Sequence, residues 1–171
     1  MKNILFAFVL MLASQAAFSQ DAITKYFNQY KDDTRFTMVE VSPKLFSMIA
    51  NIASEEIKDK DVLDMISQMK GLKILQTEHE PLNFYKEAIA KINTSSYEEF
   101  LTVRDEGQNV KFLVKDEQGG NLVNELLLLV GGEDEFVMIS FVGKIYLDKI
   151  GKMAKSMDID GLEHLDKLDK D

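Results

Sequence analysis

Leu126 to Val130 (LLLLV) is an unbroken run of five apolar side chains between two strong turn signals. A β-strand sends alternate side chains to opposite faces, so a strand with no polar position must be covered on both sides. Gln118-Gly119-Gly120-Asn121 precedes the run and Gly131-Gly132-Glu133-Asp134 follows it. Gly, Asn and Asp are the residues of tight chain reversals. The apolar period is close to two from Tyr97 onward, which predicts strands at Glu99–Arg104, Asn109–Lys115, Leu122–Val130 and Phe136–Phe141. Glu106-Gly107 separates the first pair. Short reversals between successive strands make an antiparallel meander, with the leucine run in its interior.

The N-terminal half reads differently. Ile23, Tyr26, Phe27 and Tyr30 fall at helical spacing within Asp21–Tyr30. Phe36–Val41 alternates as a strand. Ser42-Pro43 then starts a helix whose buried face is expected to carry Leu45, Ile49 and Ile52. After a charged connection, Asp61 caps a second helix bearing Val62, Ile66 and Met69, and Gly71 stands where a left-handed helix end is needed. Leu72–Gln76 is a strand, and Pro81 opens a third helix with Leu82, Tyr85, Ile89 and Ile92 on one side. Ile145–Met157 is a closing helix, followed by a polar tail in which Leu162, Leu165 and Leu168 recur.

The fold class expected is α+β: a mainly antiparallel sheet of about six strands, including the four-strand meander, with helices packed mostly on one face. No linker interrupts it, so residues 20–171 read as one domain. Phe36–Phe46 echoes Phe136–Tyr146, and Leu63–Met69 echoes Leu147–Met153. An old duplication of a strand–helix unit and a shared amphipathic pattern explain these echoes equally well.

The chain start carries an address. Lys2 precedes the apolar run Ile4–Ala13, and Ala17-Phe18-Ser19 places small residues at −3 and −1 of a cut before Gln20. That is a secretory signal peptide, too short in its apolar run to span a bilayer. Export to a periplasm or to the outside is expected, with no transmembrane segment after cleavage. Loss of 19 of the 171 residues leaves enough chain for a sizeable core. The formal charge of −9 becomes more negative on cleavage and repels nucleic acid and anionic membrane surfaces. Cysteine is absent, which excludes disulfides, thiol catalysis, zinc–thiolate sites and a lipoprotein anchor. An exported domain without such staples suits a bacterial periplasm.

No motif supplies catalytic chemistry. His79 and His164 are the two histidines, and neither has a second ligand at helical metal spacing. Asp158-Ile159-Asp160-Gly161 has its glycine too early for a calcium loop. Glu133-Asp134-Glu135 reads as a solvated hairpin tip. Paired methionines (Met65 and Met69, Met153 and Met157) lie on apolar faces where they fill core. A nucleophile elbow and a phosphate loop are both missing. The expectation is a non-enzyme without metal or cofactor.

Three stretches carry a resemblance to a known family: FTMVEVSPKLFSMIA (36–50), QMKGLKILQTE (68–78), and LLLLVGGEDEFVMISFVGKIYLDKI (126–150) followed by MDIDGLEHLDKL. On these the mature chain resembles DUF4252, a family of exported bacterial proteins of the Bacteroidetes type whose function is unknown. The resemblance implies an envelope protein and carries no catalytic residues with it. The function expected is a protein-interaction or regulatory module of the cell envelope with a protein partner. A carrier of a small apolar ligand or lipid is the alternative. Ile23, Tyr26, Phe27 and Tyr30 are the candidate docking residues, because aromatics dominate binding hot spots. The competing reading of the same helix is that it packs on its own sheet.

Overall fold

The computed structural model describes residues 15–147 and 149, except 93, 106 and 116–119, with side chains from residue 22 onward. Four helices, α1 (Gln15–Gln29), α2 (Pro43–Ala53), α3 (Lys60–Ser67) and α4 (Pro81–Lys91), accompany six strands. The strands are β1 (Thr37–Val41), β2 (Met69–Thr77), β3 (Glu98–Asp105), β4 (Gln108–Lys115), β5 (Leu122–Gly131) and β6 (Phe136–Tyr146). All six form one antiparallel sheet in the order β1-β2-β6-β5-β4-β3. This is the α+β class, and β3 to β6 are the expected meander.

Strand β5 lies inside the sheet between β4 and β6. Its leucines divide by parity. Leu127 and Leu129 enter one apolar cluster with Ile23, Tyr26, Phe27, Phe84 and Ala88 of α1 and α4. Leu126 and Leu128 enter a second cluster with Met65 of α3, and Phe46 of α2 packs against it. The helices are thus divided between the two faces instead of being gathered mostly on one. The physical reason is the leucine run itself, which makes both faces of β5 apolar and leaves neither fit for water.

Local chemistry explains most of the element ends. Asp59, not Asp61, caps α3, its carboxylate accepting the N–H groups of Asp61 at 3.0 Å and Val62 at 3.4 Å. Pro43 and Pro81 both stand at helix starts, where a missing N–H costs nothing. Gly71 does not end a helix: it lies within β2, at a register shift between Met69 and Gly71. Strand β6 runs past Phe141 to Tyr146, and the helical turn begins only at Leu147. Leu147 donates its N–H to the Asn121 carbonyl at 2.9 Å, and Lys149 donates to Asp59 at 2.8 Å. The rest of the expected closing helix, the polar tail with His164 and Asp158–Gly161, and residues 1–14 lie outside the described residues.

The first internal echo does not hold as a strand–helix unit. Phe136–Tyr146 is one continuous strand, whereas Phe36–Phe46 leaves the sheet at Ser42 and becomes helical at Pro43. Gly143 takes the place of that proline and keeps β6 extended. It sits at φ 150°, and a β-carbon there would stand 2.8 Å from the Gln68 carbonyl oxygen and the Met69 Cα. A glycine is required for β2 and β6 to approach so closely.

Candidate functional site

The four candidate docking residues are all core. Ile23, Tyr26, Phe27 and Tyr30 are buried between α1, α4 and the sheet. Tyr26 donates its hydroxyl to the Phe84 carbonyl at 3.0 Å, and Tyr30 donates to Glu87 at 2.7 Å. The rings of Tyr26, Tyr30, Phe36, Phe84 and Phe136 meet at tilted or edge-on angles, with centroids 4.6 to 6.5 Å apart. Burial pushes both phenols above their ordinary range. Burial alone would raise Glu87, but bonds from Lys91, Tyr30 and Gln29 outweigh it and hold the carboxyl below the usual value. An aromatic stripe so enclosed fastens α1 to the domain, at about 1.5–3 kcal/mol per large apolar side chain. It offers no surface to a partner.

The exposed apolar surface is on α2. Leu45, Met48, Ile49 and Ile52 follow one another at i, i+3, i+4 and i+7, and their exposures are 44%, 50%, 40% and 76%. Leu45, Ile49 and Ile52 were the side chains expected to face inward. Helix α2 instead turns Phe46 and Ala50 toward the protein. The amphipathic pattern correctly located an apolar stripe but could not say which molecule it meets. Val39, on the neighbouring edge strand β1, is also 41% exposed.

A second feature lies where three adjacent strands lose regularity together. Register shifts occur between Met69 and Gly71 on β2 and between Val123 and Glu125 on β5, with Gly143 on β6 between them. Bulges re-aim side chains and are common beside functional sites. Here they border a cleft of about 1020 Å³. Ile23 and Val142 give it apolar wall, and Lys70 and Lys144, both exposed, stand at its rim. Lys73 also lines it, paired with Glu40 and 5.0 Å above the Phe27 ring.

Glu125 lines the same cleft and is 2% exposed. Neither of its carboxylate oxygens has a hydrogen bond of normal geometry. Burial raises its pKa, and the Tyr97 hydroxyl and the Lys115 ammonium act in the opposite direction without cancelling that effect. Lys115 is the register partner of Glu125 on β4, and its ammonium lies 5.9 Å from the Tyr97 ring centroid. A buried carboxylate without hydrogen bonds costs stability, so its presence needs a reason. Sequence reading passed over Glu125, although one signal was available: it is an acid at the inward parity of Leu127 and Leu129.

His79 is exposed, its backbone N–H donating to Thr77 Oγ1 at 3.1 Å. Among the described residues, no group of three or more His, Asp or Glu side chains could hold a metal ion. No described helix is long and apolar enough to cross a membrane.

The family model described as Domain of unknown function (DUF4252) matches residues 30–153. The chain belongs to the DUF4252 family. The matched range takes in all six strands, α2 and Glu125. It begins after Ile23, Tyr26 and Phe27, so part of the core of this DUF4252 domain comes from sequence outside the match. No curated protein and no solved structure matches the chain.

Proposed function

We propose that this DUF4252 protein is an exported, non-catalytic interaction module of the bacterial cell envelope, and that it docks on a protein partner through α2. The observation that carries the reading is the four-residue apolar stripe, Leu45, Met48, Ile49 and Ile52, standing in solvent on a regular helix. A contiguous apolar patch on a folded surface marks a contact site, whereas scattered apolar residues do not. The helical spacing fits a partner that presents a complementary apolar helix or groove. Lys44 flanks one end of the stripe and Glu55 and Glu56 the other, and the chain as a whole carries −9. A partner with a basic rim is favoured by that charge. The signal-like residues 1–19 support the compartment.

Photo-crosslinking from a benzophenone side chain at Ile52 tests this, with Lys86 on the opposite face of the sheet as the control position. A discrete crosslinked species from Ile52 and none from Lys86 is expected. Met48→Glu with Ile52→Glu should abolish it while leaving stability within about 0.5 kcal/mol, since both side chains are exposed. Equal crosslinking from both positions, or a product that survives the double variant, would sink the reading.

A further inference from the structure

We propose that the apolar stripe of α2 receives a second copy of this chain, paired about a two-fold axis with the two α2 helices antiparallel. The proposal rests on the α2 reading above and names the partner.

The stripe is self-complementary, as a two-fold contact between identical surfaces requires. Leu45, Met48, Ile49 and Ile52 stand at i, i+3, i+4 and i+7 of α2, and all four are exposed. The midpoint of the stripe falls between Met48 and Ile49. A two-fold axis there sets Leu45 against Ile52 of the other copy and gathers Met48 and Ile49 of both copies at the centre. The two ends differ in charge. Lys44 precedes Leu45, Glu55 and Glu56 follow Ile52, and all three are exposed. Antiparallel pairing brings Lys44 of each copy toward Glu55 and Glu56 of the other, and it opposes the two helix dipoles. Parallel pairing would set like charges together at both ends. Burial of the apolar side chains supplies the attraction, and the end charges choose the orientation.

Val39 adds apolar surface on the same side of the sheet. It is opposite Ile74 of β2, which is opposite Ile139 of β6, and Ile139 packs in the cluster that Phe46 of α2 also joins. Directly opposed residues share a sheet face, so Val39 is exposed on the α2 side. Strand β1 is at the sheet edge, with no described strand beyond it to stop an approaching molecule. The charge of −9 repels a second copy at long range. At physiological salt that repulsion is screened beyond about 8 Å, so it weakens the dimer without forbidding it.

Sedimentation equilibrium of the full mature chain, from about 1 μM to about 1 mM, provides the test. A monomer–dimer equilibrium is expected, and Met48→Glu with Ile52→Glu should weaken it at least about tenfold. Unchanged thermal unfolding of that variant at low concentration shows that it folds. The chain has no cysteine, so introduced thiols report the orientation. Under mild oxidation, Leu45→Cys mixed with Ile52→Cys should form disulfide dimers faster than either variant alone. Lys44→Glu should weaken the dimer, and adding Glu55→Lys and Glu56→Lys to the same chain should restore it. A monomer at about 1 mM, a dimer that survives Met48→Glu with Ile52→Glu, or faster crosslinking of each cysteine variant with itself would overturn the proposal. A monomeric chain whose Ile52 photo-crosslinks to a different protein overturns the second copy and leaves the α2 reading standing.

Discussion

The ring of Tyr85 lies across Gly131, so that a β-carbon on Gly131 would stand within 2.6 Å of the Tyr85 Cβ. Helix α4 rests on the end of β5 through this contact. The obstructing atoms belong to the root of the tyrosine side chain, which cannot swing aside without moving α4. Gly131→Ala is therefore expected to destabilise the fold by about 1–3 kcal/mol, the usual cost of overpacking. Urea denaturation measures it. In the Tyr85→Ala background the same change should cost much less, and an additive double variant would show that the ring is not the obstacle.

Leu128 tests the two-sided burial of β5. It is in the cluster on the α3 face, while its neighbours Leu127 and Leu129 are in the other. Leu128→Asp should cost about 3 kcal/mol or more, since an unpaired charge replaces an apolar contact. Unchanged thermal unfolding would mean that this face is open to water.

Glu125 makes stability depend on pH in a definite direction. Its folded pKa is raised by burial, with Tyr97 and Lys115 opposing. Its favourable contribution is therefore complete below the unfolded carboxylate value of about 4.3 and is lost as pH rises through the folded value. Asp33, Asp59, Glu87 and Glu99 are shifted downward and act in the reverse sense. These four are common to wild type and Glu125→Gln and cancel in the comparison. The stability advantage of Glu125→Gln should be near zero at about pH 4 and grow to about 1–3 kcal/mol above the folded pKa. A difference that is flat from pH 4 to 8 would contradict the assignment.

The export reading predicts a mature chain beginning at Gln20 or one residue later, because Ala17 and Ser19 fit the peptidase subsites. Helix α1 starts at Gln15, so this cut would remove its first turn and leave Ile23, Tyr26 and Phe27 in place. Intact-mass measurement of the exported protein decides it, and retention of residues 1–19 would remove the address.

The meander was legible in the sequence because its signals are local. Period-two alternation and glycine-rich reversals specify which strands are neighbours, and LLLLV specifies that one of them is covered on both faces. The joining of β2 to β6 was not legible, since nothing near Leu72–Gln76 names a partner more than fifty residues away. For the same reason the apolar stripes of α1 and α2 looked alike. Whether Ile23 or Ile49 is buried depends on the tertiary setting, which helical spacing alone does not contain. Glu125 was missed because its one signal, the parity it shares with Leu127 and Leu129, is carried by a single acid beside a run that is apolar at both parities.

Strand β6 is the last of the described strands, and β2 cannot be hydrogen-bonded on both edges until β6 exists. During synthesis the β1–β2 pair, joined through α2 and α3, therefore waits with one edge open, while the meander β3–β6 can close among its own neighbours. Contacts between distant segments form late because the entropy of closing the intervening loop must be met first. Folding should thus be ordered by time as well as by space: meander first, then capture of the β1–β2 pair by the free edge of β6. Until that capture, an apolar strand edge is open to other copies of the chain, which is the period of greatest risk of aggregation. Pulse-labelled hydrogen exchange should find the amides of Leu126–Leu129 protected before those of Leu72–Gln76.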